Sequence, residues 1–274
     1  MAWLYYKNEF VAADTPLLGV SDRSFRYGDG IFETVLVVNG NMYDFAAHLG
    51  RLRRGLEYFS IELDTTQLEA ECRALIEKNA LLNGYVRIVV SRGSEAAAVG
   101  YKPGDAAPYT ILQPVFKTYG DGTPVTLYHS STRLFYHYPC KTNNALPYTL
   151  AFLEAAPHGC ENALLTDSAG HLAETATGNL FWISGDILFT PSLEVPMVPG
   201  TIREKVLRLW PGKAEQGIFP VSALHTADEV FMSNVGGLIT PIAALKPEGW
   251  HWPEHPRTLS LRAALLDDIK RYCA

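Results

Sequence analysis

The stretch Ile31-Phe-Glu-Thr-Val-Leu-Val-Val38 is apolar and rich in β-branched residues, and Asn39-Gly40 follows it directly. Such a run predicts a strand, and Asn-Gly is a preferred two-residue turn of a β-hairpin, here leading into Met42-Tyr43. From Ala46 onward the apolar residues recur at helical spacing instead. The residues that share this helical face are Leu49, Leu52, Leu56 and Phe59.

The same two patterns alternate along the rest of the chain. Short apolar runs predict strands at 85–90, 109–113, 125–128, 163–166, 179–183, 187–190 and 229–232. Helical spacing predicts helices at 65–81, 146–155, 201–209 and 259–272. Two glycines and a proline interrupt these patterns between Lys117 and Pro124, which is typical of a linker. We therefore expect an α/β (α+β) fold with a small N-terminal α/β domain at 1–118, a linker at 119–124 and a larger C-terminal domain at 125–274.

The composition excludes several classes of protein. The 274 residues are 47% hydrophobic, 11% aromatic and 19% charged, with a formal net charge of -6, so the chain is not disordered. The charged fraction lies below the roughly 25% of a typical soluble domain, so much of the surface is expected to be covered, for example at a subunit interface. The acidic balance argues against nucleic acid or an anionic membrane as the main partner, but not against a small anion in a local basic pocket.

The cellular location is predicted from what the sequence lacks. No apolar run approaches the roughly 20 residues of a membrane-spanning helix. The first residues have neither the basic start nor the apolar stretch of a signal peptide. The cysteines are scattered and form no C-x-x-C pair: Cys72, Cys140, Cys160 and Cys273. We therefore expect a cytoplasmic protein with reduced thiols and no metal site.

Lys141 is the lysine whose position suggests chemistry. It lies in the polar, turn-prone stretch Pro139-Cys-Lys-Thr-Asn-Asn144, between a predicted strand and a predicted helix. Side chains at strand ends commonly point into clefts, where a desolvated lysine is nucleophilic. A loop lysine taken alone is more often a surface residue, so this interpretation depends on other groups.

Glu174 and three anion-binding patterns are those other groups. Glu174 stands among small residues just before an apolar strand, where a carboxylate can approach a ligand closely, although a solvent-exposed turn is the ordinary alternative. The anion-binding candidates are the helix start Pro199-Gly-Thr-Ile-Arg203, Arg51 on the first helix, and the turn Ser233-Asn-Val-Gly-Gly237. Each pattern is weak alone. Together, a nucleophilic lysine, an acid and a phosphate cradle are the parts of a pyridoxal phosphate site.

Six motifs follow one another in a fixed order along the chain. They are Ser21-Asp-Arg-Ser-Phe-Arg-Tyr-Gly-Asp-Gly-Ile-Phe-Glu-Thr34, His48-x-x-Arg51-Leu52, Lys141, Glu174 with Asn179-Leu-Phe181, Pro199-Gly200 with Arg203, and Ala227-Asp-Glu229 with Ile239-Thr-Pro241. This ordered set resembles the class IV (fold type IV) pyridoxal phosphate enzymes, namely branched-chain aminotransferases, D-amino acid aminotransferases and aminodeoxychorismate lyases. The resemblance covers nearly the whole chain. It implies a C-terminal domain that is mixed and β-barrel-like with helices, and a homodimer or larger assembly with its active site between the domains, near the subunit interface.

The resemblance also implies roles for individual residues. Lys141 is the implied Schiff-base lysine, and Glu174 is the implied partner of the pyridine nitrogen. The implied phosphate ligands are Arg51, the backbone of Thr201 and Ile202, and the turn of Asn234, Val235 and Gly236. The implied substrate contacts are Tyr27, Phe32, Tyr85 and Arg87, with the loop around Tyr27 reaching the neighbouring subunit's site.

Three positions depart from the pattern of branched-chain aminotransferases. Leu146 stands five residues after the lysine, where those enzymes carry a tyrosine, so a hydrogen bond to the ring hydroxyl is not expected from it. Val235 stands in place of a threonine, and Ile202 stands in place of a residue with a hydroxyl. Only backbone donors can serve at these last two positions.

The features that bear on the substrate point to two reactions. Tyr85-x-Arg87 matches the strand that contributes to the substrate carboxylate pocket of branched-chain aminotransferases. Glu95-Ala-Ala-Ala-Val99 stands where the well-known D-amino acid enzymes carry Arg-x-His. Ser91-Arg-Gly93 with Gly100-Tyr101, and Phe181-Trp182, look more like the lyases.

Three hypotheses follow from the sequence. The first is transamination between an amino acid and a 2-keto acid such as 2-oxoglutarate or pyruvate, in which Lys141 moves the proton and Arg87 and Tyr27 steer a carboxylate. The second is a lyase that converts 4-amino-4-deoxychorismate to 4-aminobenzoate and pyruvate. The third is a binding or regulatory protein that keeps the fold without catalysis. Retention of the lysine, the acid and the phosphate-binding arginine disfavours the third.

Overall fold

The computed structural model describes residues 2–94 and 100–274. Its internal contacts divide the chain into two units, each with a sheet of its own. The first unit comprises Met1–Thr118, Pro139–Ala145 and Ile269–Ala274, and the second comprises Tyr119–Tyr138 and Leu146–Asp268. The lysine-bearing segment 139–145 belongs to the first unit and hydrogen-bonds to a strand of that unit, and the domain boundaries at 118 and 125 stay a prediction.

The first unit is an antiparallel sheet with helices. Its strands are β1 (Trp3–Tyr6), β2 (Glu9–Ala12), β3 (Gly30–Val38), β4 (Asn41–Met42), β5 (Gly84–Ser91) and β6 (Tyr109–Val115). Its helices are α1 (Arg23–Tyr27), α2 (Phe45–Tyr58) and α3 (Leu68–Lys78). The strands lie in the order β2-β1-β6-β5-β3-β4. The predicted strand at 31–38, its hairpin turn and the helix after it are confirmed as β3, Asn39-Gly40 and α2.

The second unit contains the remaining elements. Its strands are β7 (Val125–Leu134), β8 (Asn162–Asp167), β9 (Leu172–Thr175), β10 (Asn179–Ser184), β11 (Ile187–Pro191), β12 (Lys213–Gly217), β13 (Glu229–Asn234), β14 (Leu238–Lys246) and β15 (Trp250–His251). Its helices are α4 (Leu146–Ala155), α5 (Thr201–Leu209) and α6 (Pro256–Tyr272), the last of which continues into residues of the first unit.

Six strands of the second unit close into a ring. Their order is β10-β13-β14-β7-β8-β9, and β9 returns to pair with β10. β7 is parallel to both of its neighbours, whereas the other pairs are antiparallel. The pairing that closes the ring is a single antiparallel match between Glu174 and Asn179. The predicted mixed, barrel-like domain is therefore confirmed, and the ring closes at the candidate acid.

Two buried clusters cover the strands of this ring. Leu180 and Trp182 of β10 pack in one cluster with Val230 and Met232 of β13, as alternate residues of neighbouring strands do when they share a face. The second cluster lies under α4 and joins Ala151 and Ala155 of that helix to β8 and β9. Small side chains on α4 allow the helix to approach the sheet closely.

Strand β14 is the longest element that the sequence patterns do not predict. Pro241 lies near its middle, and proline removes a ladder donor, so the pattern argues against a strand. In the structure Pro241 lies opposite Phe231 of β13, and β14 joins β13 to β7 within the ring. Ring closure here overrides the local preference of proline. Within residues 2–94 and 100–274, no helix has the length and apolar character needed to cross a bilayer.

Glu229 determines where α6 begins. One of its carboxylate oxygens accepts a hydrogen bond from Thr258 N at 2.8 Å, and the other accepts from Arg257 N at 3.1 Å and Arg257 Nε at 3.0 Å. Burial raises the pKa of Glu229, but these bonds outweigh burial, so the pKa is lowered overall. This carboxylate explains why the helix predicted from residue 259 begins at Pro256.

We expect Glu229→Ala to lower the free energy of unfolding by about 2–3 kcal/mol, because three donors at the start of α6 lose a charged acceptor. Urea unfolding followed by circular dichroism measures this loss. The matched control is Glu254→Ala, which removes an exposed carboxylate just before the same helix and should cost less than about 0.5 kcal/mol. Equal losses in the two variants would contradict the capping role.

Candidate active site

The segment that carries Lys141 is held against β3 by backbone hydrogen bonds. Phe32 N donates to Lys141 O at 3.0 Å, and Asn143 N donates to Gly30 O at 2.9 Å. Ile31 and Thr142 form an isolated antiparallel bridge between these two bonds. The backbone of the predicted loop lysine is therefore fixed as if it were a short edge strand, and its side chain is aimed by β3.

Glycines allow this segment to approach the rest of the first unit. A Cβ on Gly55 of α2 would lie 2.7 Å from both Cβ and Sγ of Cys140. A Cβ on Gly28 would lie 2.9 Å from Asn144 Cβ, and the φ of Gly28 is +68°. Any other residue at these two positions displaces the neighbours of Lys141. Burial raises the pKa of the Cys140 thiol to about 12, so Cys140 serves in packing, not as a nucleophile.

Lys141 and Arg87 both lie within contact distance of the Phe32 ring. Lys141 Nζ lies 4.8 Å from the centroid of the Phe32 ring, and Arg87 Cζ lies 4.8 Å from the same centroid. Both distances are within the range of cation–π attraction. Arg87 is an exposed residue of β5, in the strand next to β3. The structure thus places a lysine amine and a guanidinium against one aromatic side chain.

Tyr27 and Tyr85, the other two predicted substrate residues, also lie in the first unit. The Tyr27 ring has Tyr101 at 5.5 Å edge-to-face, with the guanidinium carbons of Arg26 and Arg23 at 4.9 and 5.2 Å. Tyr85 is 5% exposed and lies opposite Leu36 on the face of the sheet that Arg87 shares. Their contact with substrate stays a prediction. The predicted absence of an Arg-x-His pair concerns 95–99, which lie outside the described residues.

Arg51 lies in a buried ion-pair cluster with two other motif residues. Its Nε and Nη2 each donate to a different oxygen of Glu33 at 2.7 Å, and His48 Nδ1 lies 2.7 Å from the Glu33 carboxylate. All three residues are 3% exposed or less. Burial raises the pKa of Glu33, but Arg51 and His48 outweigh it and lower the pKa to about 2. Glu33 therefore fixes the orientation of the arginine that is predicted to bind phosphate.

Glu174 lies at the pairing that closes the ring of the second unit and is 2% exposed. Tyr148 of α4 donates its hydroxyl to one oxygen of Glu174 at 2.8 Å. The other oxygen accepts from Val198 N at 3.2 Å and from Asn179 Nδ2 at 3.4 Å. The sequence patterns identify Glu174 but miss Tyr148, because a tyrosine in an apolar helix reads as a core residue.

Asn179 connects Glu174 to the start of α5. Its Nδ2 donates to Val198 O at 2.7 Å, and a Cβ on Gly200 would lie 2.0 Å from its Oδ1. Gly200 is the N-cap of α5 and provides no side-chain cap. The backbone N–H groups at Thr201 and Ile202 thus begin a helix next to the acid, which is the arrangement that attracts a phosphate.

Arg203 fixes the start of α5 to two neighbouring strands. It is 3% exposed, and its Nη2 donates to Pro191 O at 2.9 Å and to Gln216 Oε1 at 2.7 Å, on β11 and β12. Burial lowers the pKa of this guanidinium. Arg203 therefore supports the position of α5 within the second unit.

The turn of Asn234, Val235 and Gly236 lies beside β10, the strand that begins at Asn179. Ser233 pairs with Asn179, so the turn after β13 lies next to the start of β10. Asn234 Oδ1 accepts from Gly237 N at 2.5 Å, which closes the turn on itself. The second unit therefore gathers the acid, the helix start and this turn around one end of β10, and their binding of a cofactor stays a prediction.

These groups fit pyridoxal phosphate. In the second unit, a buried carboxylate suits a protonated ring nitrogen, and the glycine-capped helix start suits a phosphate. In the first unit, a lysine amine and an exposed arginine contact the same phenylalanine ring. A Schiff-base lysine, a carboxylate for the pyridine nitrogen and a phosphate cradle are what enzymes that use this cofactor share.

The comparisons with known proteins agree with this chemistry. Residues 30–245 match the family model for class IV amino-transferases, so the chain belongs to that family, whose members use pyridoxal phosphate. A branched-chain-amino-acid aminotransferase of Salmonella typhimurium is 24% identical over 261 residues, covering 89% of this chain and 84% of the relative. An aminodeoxychorismate lyase of Vibrio harveyi is 28% identical over 256 residues, covering 88% and 91%.

Solved structures give the same fold. The branched-chain amino acid aminotransferase of Escherichia coli superposes with a TM-score of 0.89 at 21% identity, covering 98% of this chain and 94% of that one. The 4-amino-4-deoxychorismate lyase of Pseudomonas aeruginosa gives a TM-score of 0.83 at 30% identity, covering 93% and 96%. The predicted fold type IV and its family are confirmed.

We expect Glu33→Gln to destabilise the protein by about 3–5 kcal/mol at about pH 7, because Arg51 stays buried without its counter-charge. The pKa of Glu33 falls from 4.5 to about 2 on folding, so its stabilisation is complete above the ordinary pKa and is lost as the pH falls toward 2. In Glu33→Gln, the free energy of unfolding should therefore fall less between about pH 5 and pH 2 than it does in the unmodified protein.

Urea unfolding at a series of pH values measures both effects. The matched control is Glu57→Gln, an exposed carboxylate on α2, which should change neither the stability at about pH 7 nor its pH dependence appreciably. An acid sensitivity that is the same in Glu33→Gln and in the unmodified protein would contradict the role of the cluster.

Proposed function

We propose that this protein is a pyridoxal phosphate-dependent aminotransferase that moves an amino group between an amino acid and a 2-keto acid, such as 2-oxoglutarate or pyruvate. The observation that carries the proposal is the placement of Lys141 and Arg87 on the Phe32 ring. An amine that moves a proton and a guanidinium that binds a carboxylate are the two groups needed to act on an α-amino acid.

Each residue has a distinct part in the proposed reaction. The bound cofactor supplies an aldehyde that condenses with amines and a ring that accepts an electron pair. Lys141 Nζ takes the proton from the substrate Cα and returns a proton at the end of the transfer. Glu174 faces the ring nitrogen as a carboxylate. Arg87 and Tyr27 bind the substrate carboxylate, and Phe32 and Tyr85 line the space around it.

The phosphate is proposed to be bound by Arg51, by the N–H groups of Thr201 and Ile202, and by the turn of Asn234, Val235 and Gly236. Val235 and Ile202 contribute backbone donors only, since their side chains carry none. The bidentate bonds from Arg51 to Glu33 pre-orient the guanidinium, which reduces the entropy lost on binding. We further propose a cytoplasmic homodimer with its active site near the subunit interface, in keeping with the low charge of the chain.

The second candidate function is that of a 4-amino-4-deoxychorismate lyase. It is favoured by sequence identity, which is 28% and 30% with the two lyases but 24% and 21% with the two branched-chain aminotransferases. In that reaction Lys141 also removes a proton from the substrate Cα, and elimination then releases pyruvate.

Supplying substrates separately distinguishes the two functions. The holoenzyme is incubated with a panel of L- and D-amino acids, and its cofactor is then released with acid and analysed. For an aminotransferase, we expect an amino acid to convert the cofactor to pyridoxamine phosphate and a 2-keto acid to reverse this. Production of 4-aminobenzoate and pyruvate from 4-amino-4-deoxychorismate, with no conversion by any amino acid, would establish the lyase instead.

We expect Lys141→Ala to retain the fold and to lose turnover by at least about 10³-fold, because no other group in the proposal moves the substrate proton. Lys141→Arg keeps the positive charge on the Phe32 ring but keeps its proton as well, so it should be equally inactive. Lys117→Ala, which removes an exposed lysine, is the control and should retain activity. Near-normal turnover in Lys141→Ala would refute the assignment.

A further inference from the structure

Tyr148 makes the shortest of the described hydrogen bonds to Glu174. Its hydroxyl lies 2.8 Å from Glu174 Oε1, whereas Val198 N and Asn179 Nδ2 lie 3.2 and 3.4 Å from Oε2. The hydroxyl distance is close to the most common O–H···O distance, and its acceptor is charged, whereas the two N–H distances lie at and beyond the long end of the usual N–H···O range. The orientation of the carboxylate therefore depends on Tyr148 more than on the other two donors.

The amide of Asn179 bonds mainly to another acceptor, so the orientation of Glu174 depends more on Tyr148. Asn179 Nδ2 lies 2.7 Å from Val198 O, much closer than its 3.4 Å contact with Glu174. The amide thus serves mainly to hold the segment before α5. All three of these donors are neutral, so the bonds orient the negative charge of Glu174 without cancelling it.

The Tyr148 ring is fixed independently of its hydroxyl. It packs against the buried cluster under α4 that includes Ala151, Ala173 and Met197. Burial and the neighbouring carboxylate both raise the pKa of the Tyr148 phenol, so the hydroxyl stays protonated and the direction of donation does not change. The phenol is therefore a permanent donor on a rigid support.

We propose that Tyr148 is a positioning residue for Glu174. This inference rests on the pyridoxal phosphate function proposed above. The hydroxyl of Tyr148 holds one oxygen of the carboxylate in place and withdraws charge from it. A proton shared between Glu174 and the ring nitrogen consequently stays on the nitrogen, where it is needed for the ring to accept electrons.

Loss of the hydroxyl has a defined consequence. A carboxylate that loses a strong donor becomes a stronger base and rotates more freely. Both changes make the ring nitrogen less protonated. A more basic carboxylate draws the shared proton toward itself, and a rotated carboxylate no longer contacts the nitrogen. Tyr148 thus acts through Glu174 and does not itself touch the cofactor in this proposal.

The test uses apoprotein reconstituted with pyridoxal 5′-phosphate that is isotopically labelled at the ring nitrogen. The chemical shift of this nitrogen in NMR spectra reports its protonation directly, and titration gives the cofactor Kd. The variants are Tyr148→Phe, Glu174→Gln and the double variant. The matched control is Tyr109→Phe, which removes another phenol–carboxylate hydrogen bond, 2.6 Å to Asp22, on β6 of the first unit.

We expect Tyr148→Phe to move the nitrogen signal toward that of an unprotonated pyridine and to weaken cofactor binding about tenfold. Tyr109→Phe should leave both unchanged. In the Glu174→Gln background, adding Tyr148→Phe should have no further effect on the nitrogen signal, since the carboxylate through which Tyr148 acts is already gone. An unchanged signal in Tyr148→Phe, or an equal effect in the Glu174→Gln background, would overturn the proposal.

A second measurement serves if Tyr148→Phe fails to fold. In the unmodified sequence, Tyr148 is labelled at its phenolic carbon, and pyridoxal 5′-phosphate is added to the apoprotein. The carbon signal should shift in this protein and stay constant in Glu174→Gln, and an unchanged signal in the former overturns the proposal. Failure of the unmodified protein to bind the cofactor at all would refute the proposed function, and this inference with it.

Discussion

The second unit depends on one backbone pairing, that of Glu174 on β9 with Asn179 on β10. Through it the strands β10-β13-β14-β7-β8-β9 close into a ring, so neither β9 nor β10 is left as an open edge of this ring. Closure brings the side chains of the two strands together, so Asn179 contacts both Glu174 and the segment that leads into α5. The constraint that closes the sheet is thus the constraint that assembles the candidate cofactor site.

Several residues, three of them in the motifs, act by supporting others. Glu33 holds Arg51, Glu229 caps α6, Arg203 anchors α5, and Gly55 makes room for Cys140 next to Lys141. These roles share a physical basis, because a buried charge or a close backbone approach tolerates few alternatives. A motif in this chain therefore marks a position that the structure cannot change easily, whether or not the residue contacts a ligand.

The sequence carries a local signal for the candidate site residues but not for the residues that support them. Lys141 lies in a polar turn, Glu174 stands before an apolar strand, and Thr201 begins a helix. The patterns do not predict strand β14 because it contains Pro241. They do not identify Tyr148 because it lies among apolar residues of a helix. Both depend on partners distant along the chain, Phe231 for the proline and Glu174 for the tyrosine. Periodicity and turn signals describe only neighbours in sequence, so they carry no information about these pairs.

The sequence by itself determined the family, the main elements and the residue types of the chemistry, because strand and helix periods, glycine turns and an ordered set of motifs are local properties. Only the tertiary structure decided which donors surround each charge. It placed Lys141 and Arg87 against the Phe32 ring, the carboxylate of Glu33 against Arg51, and the hydroxyl of Tyr148 against Glu174. The surroundings of Glu33 lower its pKa and those of Tyr148 raise its pKa, and such surroundings arise only when strands and helices remote in sequence pack together.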